Sequence, residues 1–505
     1  MMSRNRSPRT SSLVLPAATL AAMLAGCAAG PDFVRPSAVT GPGYAAQAFA
    51  PETASSPVSG GEAQSLVSGR EVPDDWWTAL HSPTLDALVH QALAASPTIE
   101  AAQAALAAAR ATARAQQGLS LPSLQAGYNG TQTNQSTDPS QPANTVRYTL
   151  HTAQLTVGYV PDVFGGNARQ VESLQAQAEV QQFQLQAARV TLAANIAAAA
   201  IQDALLREQM RVVQQMIDAG LASVDLARRQ QRAGQVSRLD LALQESALAQ
   251  NQLLLPPLRK QFEQNRDQLR ALAGTTPDAE VPAFTLAELQ LPRELPLSLP
   301  AQVIRQRPDV RAAEAQLHAA TAQIGVARAA RLPQINLSAN AGLSAAQIAQ
   351  LASGGFFGVA GTVAMSLFDG GTLAHREQAT RDTATQAQAQ YRQAVLTALQ
   401  NVADTLHALY QDAEALQAAA LQARSAATAL ELARRQYGNG YLDRIALIAM
   451  EQTDRQAQLA VALASAARLS DTVALFQALG GGAWPEGGTT AEGEAAQYSA
   501  WKRTE

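Results

Sequence analysis

The stretch Ile335-Asn336-Leu337-Ser338-Ala339-Asn340-Ala341-Gly342-Leu343 alternates apolar with small or polar residues. Shortly after it, from Thr372 to Tyr437, no proline interrupts about 66 residues rich in Ala, Leu and Gln. The first pattern has the period of a strand with one apolar face, and the second reads as a helix of roughly 100 Å, too long for a globular core. A two-faced strand beside a rod of that length decides the fold class.

Working outward, Phe357, Val359, Val363, Met365 and Leu367 alternate with Gly358, Ala360, Thr362, Ala364 and Ser366. The second half of the chain therefore carries strands at about 335–344 and 356–368, followed by a long helix at 372–437. The first half shows the same series, with strands at about 121–132 and 146–160 and a long helix at 167–232. Leu124, Ala126 and Tyr128 share one strand face. In the next strand the apolar phase changes near Thr152, from Tyr148 and Leu150 to Leu155, Val157 and Tyr159, and a β-bulge is expected there.

Both long helices carry a coiled-coil seam. In the second, Val395, Leu399, Val402, Leu406, Leu409, Ala413, Leu416, Ala420, Ala423, Ala427 and Leu430 step by four and three. In the first, Leu192, Ile196, Ala199, Leu206, Met210, Val213 and Ile217 do so, with Asp203 as a polar intruder. Further helical stretches, Pro97 to Gly118 with Leu239 to Gly274 and Pro308 to Arg331 with Ile445 to Gly480, can lie antiparallel to them.

Landmarks recur in order at a nearly constant offset: Leu121-Pro122 with Leu332-Pro333, Val163-Phe164-Gly165-Gly166 with Leu367-Phe368-Asp369-Gly370, and Ala233-Gly234 with Asn439-Gly440. This indicates internal duplication. The chain divides into a first repeat at 84–274, a Pro-dense linker at 275–300, a second repeat at 301–482 and a flexible tail at 483–505.

Composition agrees with closely packed helices. The 505 residues are 47% hydrophobic but only 5% aromatic, and about one in five is Ala. Only Lys260 and Lys502 are lysines and no basic run exceeds a pair, which argues against nucleic acid as a partner. One Cys excludes an internal disulfide and a Cys-rich metal site, and six scattered His form no ligand set. The phosphate loop, nucleophile elbow and zinc-helix motifs are missing, so neither an enzyme nor a cofactor is expected.

The single Cys sits in Leu24-Ala25-Gly26-Cys27, after Arg4, Arg6, Arg9 and the apolar run Leu13 to Leu24. This is a lipoprotein signal layout: residues 1–26 are removed, Cys27 takes diacylglycerol, and 27–83 becomes a lipid-anchored extended segment. Cleavage leaves 34 basic against 41 acidic residues, and Ala28 in place of Asp directs the product to the outer membrane. The sequence shows no uninterrupted run of 18 apolar residues, so the chain is expected to cross a membrane only with strands. Four strands fall short of the eight or so that close a barrel, so several chains must share one.

Beyond these patterns, the chain resembles the outer membrane factor family of tripartite efflux systems, the TolC-like channels, in its NodT-type lipoprotein branch. The resemblance rests on Cys27-Ala28-Ala29-Gly30-Pro31-Asp32-Phe33-Val34-Arg35-Pro36, Asp75-Trp76-Trp77, Leu85-Asp86-Ala87-Leu88-Val89, Arg232-Ala233-Gly234-Gln235-Val236-Ser237-Arg238-Leu239-Asp240 and Leu367-Phe368-Asp369-Gly370-Gly371. It implies a mainly α homotrimer with a membrane β-barrel, four strands per chain closing a 12-stranded barrel on a long α-helical periplasmic barrel. It also implies a passive exit duct that docks a periplasmic adaptor and an inner-membrane pump of the resistance-nodulation-division type. The turns around Gly234, Val236, Ser237, Leu239 and Asp240, and around Gly440 and Leu442, are then the adaptor-contacting tips. Aligning Tyr437 and Gly440 with the family's closed end puts Ile445 at its apolar ring and Ala449 where an acid is common. Either the aperture is purely apolar, or Asp443 and Glu451 carry its charge. Two alternatives share parts of the pattern: an outer-membrane duct for type I protein secretion, and a structural coiled-coil lipoprotein.

Overall fold

The computed structural model describes residues 29–37, 43–44, 49–136 and 145–482. Cys27 with the signal 1–26, and the tail 483–505, lie outside the described residues. The elements are β1 (Ser65–Ser68), a 3-10 turn (Trp76–Leu80), α1 (Pro83–Ala95), α2 (Pro97–Gly118), β2 (Ser123–Ser136), β3 (Thr145–Tyr159), α3 (Gly166–Arg232), α4 (Arg238–Leu272), β4 (Glu294–Leu297), α5 (Pro300–Gln306), α6 (Pro308–Ala329), β5 (Gln334–Ala345), a 3-10 turn (Ile348–Ser353), β6 (Gly355–Ala364), α7 (Thr372–Gly438) and α8 (Arg444–Ala478). They form two compact units, one holding residues 105–181 and 312–391 with the chain up to Pro36, the other holding 37–104, 182–311 and the chain from Arg392.

The first unit contains a four-stranded antiparallel sheet in the order β2-β3-β5-β6. Register partners share a face, so Ala126↔Leu155, Leu155↔Ala341 and Ala341↔Phe357 form one row across the sheet. That face collects Leu124, Tyr128, Val157, Leu337, Leu343, Val359 and Val363, while the opposite face collects Gln125, Asn129, Thr156, Asn336, Ser338, Asn340 and Thr362. The apolar face is uncovered: Phe357 and Val359 are 87% and 83% exposed. From Ile335 to Leu343 it runs about 26 Å along the strand.

Two strand expectations are corrected. β3 pairs with β2 without interruption from Thr145↔Ser136 to Gly158↔Ser123, so no bulge occurs at Thr152. The apolar residues change faces in a regular strand, at the level where pairing with β5 ends at His151↔Ala345. β6 stops at Ala364, opposite Gln334, rather than continuing to 368; beyond it β5 offers no partner, and Leu367 and Phe368 are exposed outside the sheet.

In the same unit the residues following the proposed lipid site are strapped down. Arg169 donates to Asp32 at 2.5 Å and to Glu172 at 2.7 Å, Glu172 meets His318 Nε2 at 2.9 Å, and Phe33 stacks on His318 at 4.4 Å. Arg35 pairs with Glu314. At the start of α7, Glu377 binds Arg331 at 2.5 Å and Arg381 at 2.6 Å, which holds its carboxyl at about 2.

The second unit packs helical seams. On α7 the buried series is Val395, Ala398, Val402, Leu406, Leu409, Ala413, Leu416, Ala420, Ala426, Leu430 and Ala433, with Ala423 half-buried, an average step of about 3.5 residues. Ala398 and Ala426 are buried in place of the expected Leu399 and Ala427, so the seam runs one residue earlier at those two steps. α4 runs through Pro256 and Pro257; both are exposed, so the carbonyls they leave unpaired can meet water. α8 is long and apolar enough by composition to pass for a membrane span, though it holds no uninterrupted apolar run of 18 residues; half of that window is buried and the helix carries buried Asp454 and Arg468.

Asp203, the intruder on α3, is wholly buried. It accepts from Arg207 Nε at 2.7 Å and from the backbone of Phe284 at 3.2 Å, tying the helix to the Pro-dense strip. That strip is more than a linker: its β4 pairs in parallel with β1, and the segment expected to be extended also buries Trp76 and Trp77, with Trp76 stacked on Phe476 at 5.3 Å.

Burial, followed by a hydrogen bond that the protonated Asp471 carboxyl donates to Asp412, pushes the Asp471 carboxyl up to about 7 from 3.8. A raised acid favours the folded state at low pH, so this contribution is complete below about 4 and is lost as the pH rises through about 7. Asp471→Asn is expected to flatten the pH dependence of unfolding between those values and to leave the protein more stable above pH 7; an unchanged profile would refute the assignment.

Candidate functional site

The two helix-to-helix turns of the second unit are built alike. α3 ends where Gly234, at φ 72°, allows the Gln235 N–H to reach back to the Gln230 carbonyl at 2.9 Å. α7 ends where Gly440, at φ 75°, lets the Tyr441 N–H reach the Gln436 carbonyl at 2.9 Å. Both are left-handed helix terminations that favour glycine. Ser237 then starts α4 with a capping box: its Oγ accepts from the Asp240 N–H at 3.1 Å while Asp240 accepts from the Ser237 N–H at 2.9 Å. The Ser237 hydroxyl, which also donates to the Asp240 carboxylate at 2.8 Å, and then the Ser237 N–H lower the Asp240 pKa. Asp443 caps α8, accepting from the Ala446 N–H at 2.7 Å.

Residues of the two turns meet. Val236 and Asp240 line one narrow crevice with Arg444, Ile445 and Ile448. Leu239 is exposed, but Leu442 packs against Leu430, Ala433 and Leu447. Tyr437 is half-exposed with the Arg444 guanidinium 5.7 Å from its ring centre. Ile445 and Ala449, one helical turn apart, are both exposed. Glu451 is elsewhere on α8, its carboxylate 3.7 Å from Arg434 on α7. The carboxylates weighed from sequence therefore differ from Ile445 and Ala449 in setting: Asp443 is engaged by the helix end and Glu451 faces a cation. Arg434 and Arg444 were not singled out from sequence; the packing of α8 back along α7 reveals them. Among the described residues no group of three or more His, Cys, Asp or Glu could hold a metal ion.

Paired 67-residue helices with capped turns, joined in one chain to a four-stranded sheet whose apolar face is bare, define a TolC-like outer membrane channel protein. The chain belongs to the outer membrane efflux protein family, which it matches over residues 88–275 and 299–481. It is 29% identical to the pyoverdine export outer membrane protein OpmQ of Pseudomonas putida over 84% of this chain and 92% of that protein. Identity to outer membrane protein OprJ of Pseudomonas aeruginosa is 30%, covering 82% and 87% of the two chains. Among solved structures, the outer-membrane channel OprN superposes with a TM-score of 0.80 at 26% identity, over 90% of this chain and 99% of that one.

Proposed function

We propose that three copies of this chain form the exit duct of a tripartite efflux system, the four strands of each contributing a third of a 12-stranded barrel. The observation that carries this reading is the sheet: its edges β2 and β6 pair with no other strand among the described residues, and its faces separate cleanly into apolar and polar. The apolar face meets lipid and the polar face lines the lumen. Equal lengths in the two halves, 67 residues for α3 and α7, 35 for α4 and α8 and 22 for α2 and α6, support an origin by internal duplication. In detergent the purified protein should have the mass of three chains; a stable monomer would sink the proposal.

Lipidation of Cys27 adds a second attachment to the outer membrane. Cys27→Ser is expected to give an uncleaved or soluble product; normal outer-membrane fractionation would make the strands sufficient. The turns at Gly234 to Asp240 and Gly440 to Leu442 receive the periplasmic adaptor, with a resistance-nodulation-division pump supplying the energy. Names such as pyoverdine export protein and toluene efflux pump protein among the relatives favour small exported compounds over the protein-secretion alternative. A stalk lipoprotein has no use for the two-faced sheet.

The narrowest aperture is lined by Ile445 and Ala449 with Tyr437 beside them, and is apolar, since Asp443 caps its helix and Glu451 faces Arg434. Asp443→Ala and Glu451→Ala should leave cation block of the channel unchanged, whereas Ile445→Asp should introduce it. A block that disappears with either carboxylate would restore the charged aperture.

A further inference from the structure

Past His151 the β2–β3 hairpin leaves the rest of the sheet and continues for six more residue pairs, about 20 Å, from Thr131↔Leu150 to Ser136↔Thr145. Over this extension the two faces exchange character. The face that is apolar lower down now carries Gln132, Asn134, Arg147 and His151. The Gln132 amide, turned with its oxygen toward Arg147, accepts from that guanidinium at 2.8 and 2.9 Å, and the Tyr128 hydroxyl meets His151 Nδ1 at 2.8 Å. The face that is polar lower down now carries Tyr148 and Leu150, both exposed in the single chain, beside their register partners Thr133 and Thr131. Phe356, the one large apolar residue on that face of β5 and β6, lies opposite Gly342, three residues below the switch.

We infer that Tyr148 and Leu150 of three copies meet across the channel axis and form an apolar outer constriction, above the membrane and separate from the periplasmic aperture. The inference rests on the three-copy reading of the sheet. In a closed barrel the lumen side of each extension faces the equivalent hairpins of the other copies across the axis, so the occupant of this surface is a second and third copy of the same segment. A strand that continued in membrane would keep its outward residues apolar; polar residues outward and apolar residues inward suit a hairpin standing in water around a closed mouth. The 3-10 turn at Ile348–Ser353 follows β5 at the same level and leaves both side chains exposed.

Cysteine cross-linking in the full-length protein in outer membranes tests this. With Leu150→Cys, a short bismaleimide is expected to convert most of the chain into linked dimers, the largest product when each chain carries one free thiol, while Thr149→Cys, on the opposite face, remains uncross-linked. In planar bilayers Tyr148→Ser combined with Leu150→Ser is expected to raise single-channel conductance roughly twofold or more, a hydrophobic constriction being a barrier to water and ions. Trimers that conduct but show no Leu150→Cys cross-links would overturn the constriction alone. A protein that neither assembles nor conducts would overturn the three-copy reading along with it.

Discussion

Arg468→Ala is expected to destabilise the second unit by about 3–5 kcal/mol, the scale for removing one partner of a buried charged network. Arg468 is 1% exposed. Its guanidinium donates to the Gly60 carbonyl at 2.9 Å, the Glu62 carbonyl and Gln64 Oε1 at 3.0 Å, and Thr53 Oγ1 at 3.3 Å. Gln64 in turn donates to the Pro292 carbonyl at 3.1 Å. One side chain on α8 thus gathers the N-terminal segment and, through Gln64, the strip that carries β4. Burial lowers the Arg468 pKa, while Glu62, Asp412 and Asp471 oppose that change. Lysine cannot replace a planar fork serving four acceptors, so Arg468→Lys should recover little. Thermal unfolding and protease cleavage between residues 53 and 64 are the readouts. A loss below about 1 kcal/mol, the range of an exposed ion pair, would show that the network is dispensable.

Val359→Arg should be the most damaging single change in the sheet. Val359 pairs with Ala339, midway along the apolar run from Ile335 to Leu343. Arginine at the midplane of a barrel's lipid face costs about 2–4 kcal/mol. Thr362→Arg, three residues along the same strand but on the polar face, should cost almost nothing by the same measure. The amount of heat-resistant oligomer recovered from outer membranes separates the two. Equal losses, or a greater loss at Thr362, would invert the assignment of lipid and lumen faces.

Both readings of the opening stretch were accessible because they are local. Alternation at Ile335 to Leu343 and the seam on α7 depend on near neighbours, and the strands and long helices lie within a few residues of where those periods end. Distance in sequence hid the rest. β1 and β4 are four residues each and some 230 apart, too short to show a period and too far apart to suggest a pair. Asp203 could be seen to interrupt a seam, with Arg207 one helical turn along, but its backbone partner Phe284, 81 residues away, could not. At the helix turns the glycines were legible, whereas the Ser237 capping box was not drawn from the sequence and the settings of Glu451 and Leu442 depend on how α7 packs on α8. The phase change at Thr152 was visible but misread: a bulge was the local explanation, and the loss of the neighbouring strand β5 is the actual one.

The most direct test of a duct built from three two-faced sheets is the current through the purified full-length protein in a planar lipid bilayer. The account predicts discrete, uniform conductance steps from a species with the mass of three chains. A monomer that leaves the bilayer silent would contradict it.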